Sequence, residues 1–307
     1  MTGADMVVQV LADEGVDVIF GYSGGAILPT YDAVFRYNVE HSSPNADIRD
    51  HPMPLVVPAN EQGAGFMASG YARASGKVGV VLVTSGPGAT NTVTPVRDSM
   101  ADSIPLVVIT GQVPTSSIGT DAFQEAPVSA VMGPGVAKHV FLVTDPKQLE
   151  ATIRTAFEIA RTGRPGPVVV DIPKDIQNWE GVFAGSGWLR ITGYRDRLQE
   201  VRDNQLTERK SAQFFEILAD SRRPLIYAGG GAINAGAAEP LRELAKTFRI
   251  PVVTTLMGIG SFDTREDLSL KMLASKMQAV VDTAAWVVAT ANPGCYIQLL
   301  QGARRVT

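Results

Sequence analysis

A single cysteine, Cys295, in 307 residues excludes a disulfide framework and any multi-cysteine metal site built within one chain. There is no Lys/Arg run, and the formal net charge is only −4, so nothing in the charge pattern recruits nucleic acid. No apolar stretch reaches the roughly 18 residues that a membrane-spanning helix needs, and no membrane association is expected. The opening Met1-Thr2-Gly3-Ala4-Asp5 has no basic segment followed by an apolar one. A secretory leader is therefore not expected, and the cytoplasm is the expected compartment. Internal repeats and low-complexity tracts are missing too. The glycine-rich turns lack both the Gly-Lys-Ser/Thr of a phosphate loop and the G-x-G-x-x-G order of a dinucleotide fingerprint.

What is present is a 45% hydrophobic chain with 19% charged residues, the balance of a globular protein long enough for two domains. Short β-branched runs alternate with helical patterns. Strands are expected at Val16–Phe20, Leu55–Val57, Val78–Val83, Pro105–Ile109 and Pro167–Asp171. Most are almost continuously apolar, as strands covered on both faces are. An opening helix carries Val7, Val8, Val10 and Leu11, and further helices are expected near 26–37, 61–75, 91–102 and 146–161. The fold class is α/β: a parallel sheet flanked by helices, followed by a second, incomplete α/β domain. The expected division is a first domain over 1–175, a linker over 176–206, a partial central domain over 207–273 and a divergent tail over 274–307.

In such a sheet, ligands sit at the carboxyl ends of the strands. Three segments fall there. Glu61 follows Asn60, a good N-cap, and opens the third helix; a glutamate in that turn also simply answers the helix dipole. Ser85-Gly86-Pro87-Gly88 joins a strand to a helix, so its backbone N–H groups can face an anion or a ring edge. Gly24 and Gly25, in Gly21-Tyr22-Ser23-Gly24-Gly25, repeat that arrangement after the first strand. Each turn alone also reads as a permissive glycine bend. Gln124 sits in a polar loop, Lys138-His139 is a basic pair open to a substrate acid or simply to water, and Gly229-Gly230-Gly231 opens a helix in the second domain.

Taken in order, these segments resemble the large subunit of the thiamine-diphosphate-dependent acetolactate (acetohydroxyacid) synthases. The resemblance rests on Phe20–Pro29, Glu61–Ala64, Gly70–Ala74, Thr84–Asn91, Asp102–Leu106, Ile109–Gln112, Ile118–Glu125, Thr162–Pro167 and Asp171–Asp175, and it runs to about Leu273. Several of these motifs are common to thiamine enzymes; Gly119–Glu125 and Arg164–Pro167 point to the synthase branch. The resemblance implies a first domain of the thiamine-diphosphate pyrimidine-binding fold. It also implies that Glu61 bonds the pyrimidine N1′ and promotes the imino tautomer that activates the cofactor. Gly24, Gly25 and Ser85–Gly88 would border the pyrimidine, and Gln124 and Lys138 would line the side of a 2-oxo acid substrate such as pyruvate. Arg164 and Gly229–Gly231 would touch FAD. The implied reaction condenses two 2-oxo acids with loss of carbon dioxide, toward branched-chain amino acids.

Departures from the pattern matter as much. Ser23 stands where the family usually has proline, and Pro58-Ala59-Asn60 replaces basic residues. No Gly-Asp-Gly…Asn segment, which in the family holds Mg²⁺ and the diphosphate, occurs anywhere in the chain. The Mg²⁺ ligands would then lie outside it. A homo-oligomer or partner chain would have to supply that half, and the chain alone is expected to be inactive. The last 34 residues, around Pro293-Gly294-Cys295, instead resemble the cysteine-rich end of a glycolate-oxidase-type iron–sulfur subunit. Two other readings stay open: another thiamine enzyme, of pyruvate oxidase or sulfoacetaldehyde acetyltransferase type, and a non-catalytic fragment that binds cofactor or assists assembly.

Overall fold

The computed structural model describes residues 1–43, 45–47, 50–203 and 207–262. Residues 263–273 of the expected central domain, and the expected tail 274–307 with Cys295, lie outside the described residues. The chain divides into two compact units, Met1–Asn204 and Gln205–Thr307.

The first unit opens with α1 (Gly3–Asp13), β1 (Ile19–Tyr22), α2 (Leu28–Glu40), β2 (Leu55–Val56), α3 (Glu61–Ser75) and β3 (Gly79–Val83). It continues through α4 (Pro87–Thr90), α5 (Val93–Asp102), β4 (Leu106–Gln112), α6 (Val128–Val131) and β5 (His139–Leu142). It ends with α7 (Leu149–Arg161), β6 (Pro167–Pro173), α8 (Lys174–Asn178) and α9 (Tyr194–Asp203). The strands form one parallel sheet in the order β2-β1-β3-β4-β6-β5. Every strand therefore delivers its following loop to the same edge.

Side-chain alternation explains the two helical layers. Val80, Leu82, Val107, Ile109, Val168 and Val170 face one cluster with Val7 and Leu11 of α1 and Ile153 and Phe157 of α7. Val81, Val83, Leu106, Val108 and Val169 face the other, with Ala64, Ala68 and Ala72 of α3 and Val96 of α5. Each fully buried aliphatic side chain contributes about 1.5–3 kcal/mol. The whole of β3, β4 and β6 is buried, as their unbroken apolar runs require.

Several boundaries differ from expectation. The first strand lies at Ile19–Tyr22, shifted toward the glycines, because its register is set by pairing Phe20 with Val81 and Tyr22 with Val83. Strand β4 continues past Ile109 through the buried polar residues Thr110 and Gln112, and β6 continues past Asp171 to Pro173. Strand β5 was not expected; it is a short edge strand, and its sequence His-Val-Phe-Leu carries too little periodicity to announce itself.

The expected linker over 176–206 needs correction. Its described part belongs to the first unit and includes α9. Trp179, Phe183, Leu189, Ile191 and Tyr194 pack on the α1/α7 cluster. Backbone groups are bonded as well: Gly3 N–H donates to Trp179 O at 2.7 Å, Ala184 N–H to Glu150 at 2.9 Å, and Leu189 N–H to Thr155 at 2.8 Å. Irregularly spaced anchors hold this strap, which is why no period betrayed it.

In the second unit, α10 (Glu208–Asp220) precedes β7 (Ile226–Ala228), α11 (Gly230–Asn234), α12 (Ala238–Phe248) and β8 (Val252–Thr254). The two strands pair in parallel, Ile226 with Val252 and Ala228 with Thr254. Ala228, Ala245, Val252 and Phe262 form its small described core.

Candidate active site

Strands β2, β1 and β3 are neighbours, so the segments that follow them converge although they lie far apart in sequence. Glu61 is the first residue of α3. Asn60 caps that helix in extended geometry, its Oδ1 accepting from Gly63 N–H at 2.8 Å. The Glu61 side chain turns inward: the residue is only 8% exposed. Its Oε2 accepts a hydrogen bond from Asn91 Nδ2 at 2.8 Å. Its Oε1 has no hydrogen bond to any described residue and lies 3.6 Å from where a Cβ on Gly88 would stand.

Both glycine bends close on Thr84. A Cβ on Gly24 would fall 2.5 Å from Thr84 Cγ2, and one on Gly88 would fall 2.7 Å from the same atom. Any side chain at either position forces the turn open. Thr84 Oγ1 in turn accepts from Ala26 N–H at 3.3 Å, tying the β1 turn to the β3 turn. Ser85 is buried, and Gly86 has φ 57° and ψ −117°, a conformation that glycine alone tolerates cheaply. Gly25 lies exposed with open space beside its Cα.

Gln124 comes to the same edge. A Cβ on Gly86 would stand 2.6 Å from Gln124 O, so the loop backbone lies directly on the glycine turn. This loop is strained: Asp121 and Gln124 both hold left-handed backbone, with φ of 57° and 60°. Glu125 organises it by accepting from the N–H groups of Gly119, Thr120 and Ala122. Those amides, Gly119 first, hold the Glu125 carboxyl below its ordinary value. Phe123 beside Gln124 is 89% exposed.

Lys138 is not brought to Glu61. It immediately precedes β5, its N–H bonding Pro167 O at 2.8 Å, and so stands at the amino edge of the sheet. It is neither an exposed cation nor a group facing the glycine turns. Its Nζ donates to Ile159 O and, at 2.7 Å, to Thr162 O, where α7 ends. Burial lowers its pKa from 10.5 to about 8. A helix C-terminus with unfilled carbonyls attracts just such a cation. Arg164 stands at the same amino edge. Its Nε donates to Ser103 Oγ at 2.8 Å, and its Nη2 to Met100 O and Ala101 O at 3.1 and 2.9 Å, closing the end of α5. Gly229–Gly231 lie in the second unit, where they lead from β7 into α11, and a Cβ on Gly230 would crowd Met257 at 3.0 Å.

Three residues of the site escaped the sequence reading as individuals. Asn91 closes the Thr84–Asn91 run, yet only the fold turns its amide to Glu61. Thr84 reads as a strand end. Tyr31, on α2, donates its hydroxyl to Leu82 O at 2.9 Å; burial, and then the nearby Glu61 carboxylate, push its phenol far above its ordinary range. A tyrosine in a half-apolar helix reads as core, and no local pattern distinguishes it. Among the described residues no group of three or more His, Cys, Asp or Glu side chains is placed to hold a metal ion, and no helix is long and apolar enough to cross a membrane.

Known proteins are similar to this chain along most of its length. Residues 1–131 match the family described as "Thiamine pyrophosphate enzyme, N-terminal TPP binding domain", and residues 211–287 match "Thiamine pyrophosphate enzyme, central domain". The chain is 43% identical over 273 residues to the acetolactate synthase large subunit of Corynebacterium glutamicum, covering 89% of this chain and 40% of that protein. It is 45% identical over 282 residues to the mitochondrial acetolactate synthase catalytic subunit of Saccharomyces cerevisiae, covering 89% and 38%. It is 43% identical over 276 residues to a probable acetolactate synthase large subunit of Methanocaldococcus jannaschii, covering 89% and 43%. The chain thus spans about 40% of the length of these relatives. Its α/β fold, with a parallel sheet flanked by helices, is that of the matched thiamine-enzyme domains, and its resemblance is to a transferase.

Proposed function

We propose that this chain carries the pyrimidine-binding half of a thiamine-diphosphate site in an acetolactate-synthase-like transferase that joins 2-oxo acids with decarboxylation. The observation that carries the proposal is Glu61: a buried carboxylate with one oxygen held by Asn91 and the other, beside Gly88, without a partner among the described residues. The residues fit the pyrimidine end of the cofactor. A flat ring with an acceptor-seeking nitrogen suits a half-satisfied carboxylate, and two bends that tolerate no side chain suit a face that must approach backbone closely. When bound, the cofactor supplies the electron sink for decarboxylation.

The chain's own residues have the following parts. Glu61 Oε1 holds and exchanges a proton at the ring nitrogen, and Asn91 fixes the carboxylate orientation by occupying Oε2. Gly24, Gly25 and Ser85–Gly88 leave room for the ring, and the Gln124 loop closes that edge on the substrate side. Lys138 is given no part in this chemistry. FAD, with Arg164 and Gly229–Gly231 as contacts, belongs to the same proposal. Arg164 has already committed Nε and Nη2 to α5, leaving Nη1 for such a contact.

Mg²⁺ and the diphosphate call for the Gly-Asp-Gly…Asn segment, which these 307 residues do not contain. A second subunit or partner chain, in a cytoplasmic oligomer, is proposed to supply it, with pyruvate as substrate and branched-chain amino-acid biosynthesis as the setting. The iron–sulfur likeness of 274–307 gains no support from the matches above, and the proposed function makes no use of it.

The test is a chimera in which residues 1–273 replace the corresponding part of the Corynebacterium glutamicum large subunit. Supplied with thiamine diphosphate, Mg²⁺, FAD and pyruvate, it is expected to form acetolactate, whereas the 307-residue chain alone forms none. Acetate or acetyl phosphate as sole product would select the other thiamine enzymes instead. Activity of the chain alone would overturn the need for a partner. A folded chimera that binds thiamine diphosphate yet turns over no pyruvate would favour the non-catalytic reading.

A further inference from the structure

The chain buries a carboxyl group that the proposed chemistry does not use. Asp171 lies in β6 and is only 2% exposed, with no ion-pair partner among the described residues. Thr110 donates to its Oδ1 at 2.7 Å, and Gln112 Nε2 donates to its Oδ2 at 2.9 Å. The same Gln112 nitrogen donates to Ala126 O at 2.9 Å, and Gln112 Oε1 accepts from Val113 N–H at 2.8 Å. Both donors and one of the two acceptor positions of that amide are therefore used, which fixes its orientation. Ala126 directly follows the Gly119–Glu125 loop, whose backbone at Gln124 rests on Gly86.

We propose that Asp171, acting through Gln112 with Thr110 as its second support, is a positioning residue that fixes the Ala126 root of the Gln124 loop against the glycine turn. This inference rests on the functional reading of that edge, but it concerns a loop geometry measurable without any cofactor. Burial is the physical reason for assigning a role. It pushes the Asp171 pKa from 3.8 up to about 7, with Thr110 and Gln112 only partly opposing the shift. An ionised carboxylate there costs stability, yet it is a stronger acceptor than a neutral amide. An asparagine has one acceptor oxygen where the carboxylate has two, so its amide group would face one of these two donors. The charge is best explained by the rigidity it gives to a loop that two left-handed residues strain.

Charged groups on α5 and in the loop are engaged elsewhere or lie in solvent, and His139 of the paired strand β5 is half-buried against Phe141. Asp98 and Asp102 on α5 pair with Arg73, Glu125 with its loop amides, and Arg97 is exposed. The anchor is thus governed by Asp171 itself.

The experiment is peptide-resolved hydrogen–deuterium exchange on the full chain, comparing wild type, Gln112→Met and Asp171→Asn at pH 8 and at pH 5.5. In Gln112→Met, exchange over 119–126 is expected to rise about tenfold while α7 (149–161) stays unchanged. Asp171→Asn is expected to raise exchange of the loop at pH 8 and to match wild type at pH 5.5, where the native carboxyl is itself protonated. Unchanged loop exchange in Asp171→Asn at pH 8, or an equal rise across α7, overturns the proposal. If Gln112→Met does not fold, the Asp171→Asn comparison decides alone. Failure of the chimera to make acetolactate would leave these exchange results standing, so the two readings fail separately.

Discussion

The two edges of the six-stranded sheet carry polar side chains of similar kinds, and they use them in opposite ways. At the amino edge, Lys138 Nζ and Arg164 Nη2 donate to the carbonyls that end α7 and α5. At the carboxyl edge, Glu61 keeps one oxygen without a hydrogen-bond partner among the described residues, and glycine bends hold space open around it. A saturated polar group stabilises the fold; an unsaturated one beside space is available to a ligand. The contrast separates charged side chains engaged within the domain from a buried carboxylate with an oxygen to spare.

The sharpest way to break that contrast is to exchange the two roles by mutation. In the chimera, Glu61→Gln should lower the rate of acetolactate formation by about 10²–10⁴ at unchanged folding, whereas Lys138→Met should change it less than threefold. Comparable losses from both, with circular dichroism unchanged, would end the distinction between the edges.

A smaller effect is expected from filling the open space. Gly88→Ala puts a methyl group into Thr84 and beside Glu61 Oε1. Turnover should fall roughly tenfold through weaker cofactor activation, read as a higher thiamine diphosphate requirement. Gly70→Ala, inside α3 at a glycine with nothing within 4 Å, should leave turnover unchanged and raise the melting temperature by about 1–4 °C, since alanine is favoured over glycine in a helix interior.

Buried charge sharpens the comparison through pH. Asp171 has a folded pKa of about 7, above its unfolded 3.8, so the native state binds the extra proton between those values. Its contribution to stability is full below pH 3.8 and is lost as pH rises toward 7. Asp171→Asn should therefore gain melting temperature over wild type at pH 8 more than at pH 5. Lys138 has the opposite window. Its folded pKa of about 8 lies below 10.5, so its contribution rises with pH between 8 and 10.5, and Lys138→Met should flatten that rise. A melting-temperature series from pH 4 to 10.5 on the three proteins checks both signs.

Smallest of all is the loss of a surface cap. Arg164→Ala removes three hydrogen bonds at the end of α5 and should lower the melting temperature by roughly 2–4 °C and raise the FAD requirement of the chimera, with turnover per folded chimera unchanged at saturating FAD. A change in turnover at saturating FAD without a change in melting temperature would give Arg164 a direct part in the chemistry.

Much of this was legible from residue order. Unbroken β-branched runs announced β3, β4 and β6 because doubly covered strands need apolar side chains on both faces. The Asn60–Glu61 helix start was legible because capping is local chemistry. Strand β5, the α9 strap and the location of Lys138 were not. Each depends on an edge pairing or on scattered anchors such as Trp179 and Phe183, which leave no period to detect.

The sequence by itself determined the layered α/β architecture, the glycine bends and the carboxylate that opens α3, since these follow from periodicity, backbone freedom and capping. Only the tertiary structure decided which of them meet. Strand order put β2, β1 and β3 side by side, turned Asn91 onto Glu61 and laid Gln124 on Gly86. It also sent Lys138 and Arg164 to the opposite edge. The physical reason is that a parallel sheet assigns each loop to an edge by strand direction, and neighbours by pairing, neither of which is written at any single position.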